Sequence, residues 1–220
     1  MTDLNQLLLN FDLKQNYKYE DYYVGKSNFY AFNLINDWPK WEKNILNIYG
    51  EKYSGKTHLS NIFLKKFKGL KVLSKDFTNE TIKEFKVFES IILDDFNQNI
   101  DERLMYTLFN IADQDNKFII INSLKAINEF NFKLDDLISR INNCLFAKIE
   151  KPDDELMFAI ILKNFSDRQI TIEKKFIDYI IKNIDRSYGK IYEFIYKIDE
   201  ISLKKKKSID FKIIKEALKV

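Results

Sequence analysis

The chain has 220 residues, enough for one substantial core with a small appended unit. Its 36 Lys and Arg against 33 Asp and Glu leave a formal net charge of +3, too balanced to mark a nucleic-acid or anionic-membrane surface. One cysteine, Cys144, excludes an internal disulfide framework and a cysteine-rich metal site, and suits a reducing, cytoplasmic compartment.

In chain order, "NQLLLNF" at 5–11 is an apolar stretch set ahead of any element that reads as core, and the start "MTDLNQ" lacks the basic region of a secretory signal. Residues 12–22 are polar with scattered aromatics and read as a connecting segment. Ala31, Leu34, Ile35 and Trp38 fall at helical spacing, and Pro39 ends that helix. Five short runs rich in Ile, Leu, Val and aromatics, at 44–50, 70–75, 89–95, 117–123 and 145–150, read as buried strands. The stretches between them at 56–68, 79–88, 101–114 and 134–143 read as helices. Strands alternating with helices imply right-handed crossovers and a mostly parallel sheet covered on both faces, an α/β fold.

After Lys151 the pattern changes. Pro152 and an acidic start lead into an amphipathic helix at 153–165, followed by helical stretches at 171–185, 189–203 and 210–218 with no strand between them. The expected organisation is therefore a tail over 1–17, an α/β domain over 18–150 and a small all-helical domain over 151–220. "LKKKKS" at 203–208 has no interleaved aromatics and reads as a solvated helix end. No apolar run approaches the ~20 residues of a membrane span.

One stretch carries chemistry. "GEKYSGKT", Gly50 to Thr57, is a full G-x-x-x-x-G-K-[ST] match between a predicted strand and a predicted helix, the context a phosphate-binding loop requires. Gly50 lets the chain leave the strand; Ser54 and Gly55 bring backbone N–H groups to phosphate oxygens, aided by the positive end of the helix dipole. Lys56 is expected to reach the β- and γ-phosphates and Thr57 to ligate Mg²⁺, with ADP or ATP as the cofactor. Such a loop needs a carboxylate at the end of a neighbouring buried strand, and "SIILDDF" supplies Asp94 for the metal and Asp95 to polarise an attacking water. "FIIINS" ends a strand in Asn122 and Ser123, where a polar side chain could position that water; the same pair is equally the chemistry of a turn. Arg140 in "DDLISRI" reads, on residues alone, as an ordinary exposed arginine, and His58 as a packing residue.

Taken together, these stretches resemble the AAA+ ATPase module of DnaA-type replication initiators and of their shortened regulatory relatives, over essentially the whole chain. "YYVGKSN" at 22–28 is similar to the family box that borders the adenine, which adds Tyr23, Val24 and Asn28 to the expected nucleotide site. "GKTHL" repeats the family's loop exit and adds His58. The resemblance implies a three-layer αβα domain with a five-stranded parallel sheet, followed by a helical lid. It also implies that Arg140, in a stretch like L-x-D-L-x-S-R, is an arginine finger acting on a neighbouring subunit's nucleotide. Two positions depart from the family: Gly189, beside Lys190, stands where a lid arginine is expected, and Leu124 stands where an acidic residue often ends the sensor strand. Hydrolysis by the chain's own site is accordingly expected to be weak.

The chain as read ends at Val220 with no second basic helical module, so no sequence-specific DNA reading is expected. Shortened relatives are implied to dock on the DNA polymerase III sliding clamp through a peptide of the form Q-L-x-L-x-[LF]. "QLLLNF" matches with Gln6, Leu7, Leu9 and Phe11. The expected partners are thus the clamp and a DnaA initiator, with a homodimer also open and no membrane. Alternative readings are an independent ATPase acting directly in initiation and a nucleotide-gated scaffold without a part in hydrolysis.

Overall fold

The computed structural model describes residues 17–66, 68–205 and 207–218. The opening peptide with Gln6, Leu7, Leu9 and Phe11 lies outside the described residues.

Five strands, β1 (Ile45–Gly50), β2 (Gly69–Leu73), β3 (Ser90–Phe96), β4 (Phe118–Ser123) and β5 (Leu145–Ile149), form one sheet in the order β2-β3-β4-β1-β5. Every neighbouring pair is parallel. This is the expected α/β architecture, and the element bounds differ from the expected ones by a few residues. β2 stops at Leu73 instead of Lys75 because Ser74–Asp76 turn into a short 3-10 helix.

Side-chain alternation assigns the two faces. Ile91, Leu93, Ile119 and Ile121 point to the core under α3 (Asn79–Phe85), α4 (Glu102–Gln114) and α5 (Asp135–Asn142). Leu46, Ile48, Ile92 and Ile120 point to the opposite core, under α1 (Phe29–Asp37) and α2 (Lys56–Lys66). Strands buried on both faces need apolar residues at consecutive positions, which is why they read as continuous runs and not as alternating ones. Helix starts are set locally: the Asp101 carboxylate accepts from Arg103 N at 2.8 Å and Leu104 N at 3.1 Å, and Asp153 accepts from Leu156 N at 2.8 Å.

The remaining helices, α6 (Asp154–Asp167), α7 (Lys174–Asn183), α8 (Tyr188–Lys205) and α9 (Phe211–Leu218), enclose their own core around Met157, Phe165, Ile180, Ile195 and Ile214. Leu156 of α6 and Tyr188 of α8 pack instead into the core under α2, so this helical layer is tied to the sheet layer. Among the described residues no helix is long and apolar enough to cross a membrane.

The segment expected to be a mere connection contributes to packing. Tyr22 is buried and stacks on Phe32 at 5.9 Å between ring centroids, and Tyr19 lies 5.7 Å from the same ring. Its aromatics are spaced to cover α1, a pattern that polar neighbours hide in the sequence.

A buried asparagine braces the strand ends that carry the site. Asn47 of β1 is 0% exposed; its Nδ2 donates to Ile121 O and to Ser123 Oγ, both at 2.9 Å, and its Oδ1 accepts from Ile127 N at 2.9 Å. Asn47→Ala leaves the Ile127 N–H buried without this acceptor and is expected to cost about 1–3 kcal/mol of unfolding free energy. Chemical denaturation checks this as a lower midpoint at unchanged slope.

Candidate functional site

The loop from β1 to α2 needs its glycines. Gly50 has φ +154°, and a Cβ there would lie 2.7 Å from the Ile149 carbonyl oxygen; Gly55 has φ +91°, and a Cβ would lie 3.1 Å from the Tyr22 ring. Between them Tyr53 adopts φ 67°, a left-handed conformation costly to a bulky side chain. The loop wraps round the Lys56 ammonium, which donates to Gly50 O at 2.7 Å and Glu51 O at 2.8 Å. Burial lowers the Lys56 pKa to about 8, against the opposing pull of Asp94, Asp95 and Glu51. Loop amides, an ammonium and a helix N-terminus are the kinds of group that can receive an oxyanion.

Across from the loop, Asp94 ends the apolar run of β3 and is 5% exposed. Its Oδ1 accepts from Thr57 Oγ1 at 3.1 Å and from Asn122 Nδ2 at 2.9 Å, while its Oδ2 lies 3.0 Å from Lys71 Nζ on β2. Burial acts to raise the Asp94 pKa, but hydrogen bonds from Asn122, Lys71 and Thr57 and the Lys71 charge outweigh it and hold the carboxyl below its ordinary value. Asn122 is fixed in turn by Ser60 of α2, whose Oγ accepts from Nδ2 at 2.8 Å. Asp95 points out to solvent, in a left-handed φ of 53° where the β3–β4 register shifts. Thr57 and Asp94 present hard oxygen donors, the type that suits Mg²⁺. The second carboxylate oxygen is already paired with Lys71.

The expected adenine-side residues form a closed turn. Asn28 is buried, accepts from Gly25 N at 2.9 Å and donates to Tyr23 O at 2.9 Å, so its side chain fixes the backbone that carries Tyr23 and Val24. Tyr23 itself is 49% exposed, and Ser54 is buried in the β1–α2 loop. His58 faces Tyr17 and Tyr22 edge-on and hydrogen-bonds Lys18 O at 2.7 Å; burial lowers its pKa, with the Lys18 carbonyl opposing. It is a packing contact between α2 and the N-terminal segment.

At the helical layer, the Glu51 carboxylate accepts from Tyr188 N and Gly189 N, both at 3.2 Å, and from Ser187 Oγ. The β1–α2 loop therefore caps the first turn of α8. Of the cations near Gly189, Arg186 is paired with Asp154 at 2.8 Å and Lys190 with Glu193 at 3.0 Å. Leu124, just past β4, is 60% exposed. Arg140 of α5 pairs with Asp113 of α4 and lies over the Tyr106 ring at 5.4 Å.

The structure thus brings Lys56, Thr57, Asp94 and Asn122 together around one loop, with Asp95 at its rim, and places Arg140 against α4. Sequence reasoning missed Glu51, Ser60 and Lys71. Lys71 carried a legible signal, since a lysine within a short, otherwise apolar strand must find a counter-charge. Glu51 carried none, because the loop pattern leaves its position unspecified.

No family model matches the chain. The chromosomal replication initiator protein DnaA of Borrelia turicatae (strain 91E135) is 28% identical over a match covering 98% of this chain and 51% of that protein. The chain spans about half the length of the curated relatives it matches. Domain III of the Thermotoga maritima replication initiation protein DnaA superposes with a TM-score of 0.76 at 23% identity, covering 92% of this chain and 95% of that one. A structure of replication initiator DnaA bound to AMPPCP and single-stranded DNA superposes with a TM-score of 0.69 at 23% identity, covering 89% of this chain and 70% of that one. The fold is that of a DnaA-like AAA+ domain, and the sequence is similar to DnaA initiators.

Glu51→Ala removes the carboxylate from the start of α8 and is expected to cost about 0.5–2 kcal/mol, as loss of a helix cap does. Hydrogen exchange checks the location: amides at 188–190 exchange faster while those of β1 and β4 keep their protection.

Proposed function

We propose that this chain, similar to DnaA initiators over nearly its whole length, is an adaptor ATPase of the type of Hda, the regulatory inactivator of DnaA. On this reading it binds ADP or ATP, docks on the DNA polymerase III sliding clamp, and stimulates hydrolysis of ATP held by a DnaA initiator, which restrains replication initiation. The observation that carries the nucleotide half is the Lys56–Thr57–Asp94 arrangement round a loop shaped for phosphate. Binding of AMPPCP, an ATP analogue, by the solved DnaA supports the same reading.

Lys56 takes the phosphate charge, and the loop amides up to Thr57 hold the phosphate oxygens. Thr57 and Asp94 are the residues that would hold Mg²⁺, which would neutralise phosphate charge there. Asn122 acts through Asp94, which it orients, and Asp95 stands at the rim where a water is polarised. Tyr23, Val24 and Asn28 border the base, beside His58.

Weak hydrolysis by the chain's own site fits the helical layer. Gly189 has no side chain to reach a phosphate from the position where the resemblance leads to an arginine. Arg140 is then the group supplied in trans, exchanging its exposed Asp113 partner for a phosphate: a guanidinium stays charged at any working pH and meets phosphate through a fixed fork of donors. Gln6, Leu7, Leu9 and Phe11 have the spacing of an extended peptide that inserts alternate apolar side chains into a partner's groove.

The second reading is a DnaA-like ATPase that acts directly in initiation. Similarity to DnaA bound to AMPPCP and single-stranded DNA favours it. ATP-dependent binding of single-stranded DNA by the purified chain is its distinguishing result.

Hydrolysis of DnaA-bound ATP on clamp-loaded DNA tests the adaptor reading. Adding this protein is expected to accelerate it, Arg140→Ala to remove at least roughly tenfold of that acceleration, and Gln6→Ala with Leu9→Ala to remove the clamp dependence. Acceleration indifferent to Arg140→Ala would contradict the finger, and an intact clamp pulldown with the double variant would contradict the docking peptide.

A pH titration tests Lys56. The free protein loses the ammonium proton as pH rises through about 8, whereas bound phosphate favours the charged form. Nucleotide affinity is therefore steady between the second ionisation of the terminal phosphate, at about pH 6–7, and a pH of about 8, and falls above it by up to about tenfold per unit. Equilibrium binding of a fluorescent ADP across this range reads the slope.

A further inference from the structure

β2 reads Gly69-Leu70-Lys71-Val72-Leu73, with one charged residue in the strand. Leu70 and Val72 pack into the core under α3 and α4, so Lys71 faces the opposite side, toward α2. Its register partner on β3 is Ile92, two residues before Asp94, and the lysine stem spans that offset to place Nζ 3.0 Å from Asp94 Oδ2. The Tyr17 ring lies 5.9 Å from Nζ, and the Lys71 side chain is 27% exposed. With Thr57 and Asn122 on Oδ1, both oxygens of the carboxylate meet donors of the chain itself.

A bare carboxylate beside a phosphate site repels the phosphate, and a divalent cation ordinarily removes that repulsion. Here an ammonium already stands on the carboxylate. A metal ion at Asp94 must either displace that ammonium or share the carboxylate with it, and two cations around one carboxylate oppose each other.

We propose that Lys71 is a resident cation of the phosphate site, standing on Asp94 where Mg²⁺ draws its charge, so that the chain binds nucleoside diphosphate with little dependence on the metal. This rests on the nucleotide reading above. Lys71 is a positioning residue: it acts through Asp94 and needs no contact with the nucleotide.

The test is equilibrium binding of fluorescent ADP to the full chain, in excess Mg²⁺ and in excess EDTA, for wild type and Lys71→Met. In wild type the two affinities are expected to agree within roughly threefold, and in Lys71→Met the EDTA affinity is expected to fall at least roughly tenfold below the Mg²⁺ affinity. A wild-type ratio beyond roughly threefold overturns the proposal, as does a Lys71→Met ratio equal to wild type. Should Lys71→Met not fold, the wild-type ratio decides alone. Folded wild type that binds ADP in neither condition overturns the nucleotide reading and this inference together; binding that needs the metal overturns this inference alone.

Discussion

A carboxylate buried at the end of the apolar run of β3 has to be compensated where it stands, and the rest of the site is arranged round that requirement. Asp94 is 5% exposed, and leaving such a charge unpaired costs several kcal/mol. Its partners come from three further elements: Thr57 from α2, Asn122 from β4 and Lys71 from β2. That set requires β3 to lie between β2 and β4, as the sheet order has it. It also requires the first turn of α2 to lie over the strand end. Because α2 starts where the β1–α2 loop finishes, the contact that compensates Asp94 also sets the position of the loop.

The same loop reaches the helical layer. Lys56 turns inward to the carbonyls of Gly50 and Glu51, while the Glu51 side chain turns outward to cap α8. The inward and outward contacts share one residue, so a change in loop shape and a change in the seat of α8 are mechanically linked. Gly189 belongs to this contact. Its amide donates to Glu51, and a Cβ there would lie 3.2 Å from the carboxylate oxygen. Where the resemblance led to an arginine, the chain has instead a backbone-to-carboxylate joint between its two layers.

Much of the fold was legible because parallel strands covered on both faces need consecutive apolar residues and their connections need helices. The tight turn from β1 into α2 was legible because its glycines answer to steric demands, seen in the φ values of Gly50 and Gly55. Period two resolves what the sequence left open at 122–123: Asn122 faces α2 and Asp94, whereas Ser123 faces Asn47 and donates to Lys125 O at 2.6 Å. What was not legible depends on contacts between residues far apart in the chain. Tyr22 reads as part of a polar connection until α1 and Gly55 are set beside it, and Glu51 reads as an arbitrary loop residue until α8 arrives. Lys71 stood in plain view, but its counter-charge depended on the strand order, which hydrophobic patterning does not determine.

The central claim is that the loop over 50–57 is a nucleotide phosphate site organised by Asp94. A crystal structure of the chain with ADP measures this most directly. The account predicts density for the terminal phosphate against the loop amides, with Lys56 turned from the carbonyls of Gly50 and Glu51 toward it, and the Thr57–Asp94–Asn122 contacts in place. Nucleotide bound elsewhere, or a loop that holds ADP while Lys56 stays on those carbonyls, would contradict it.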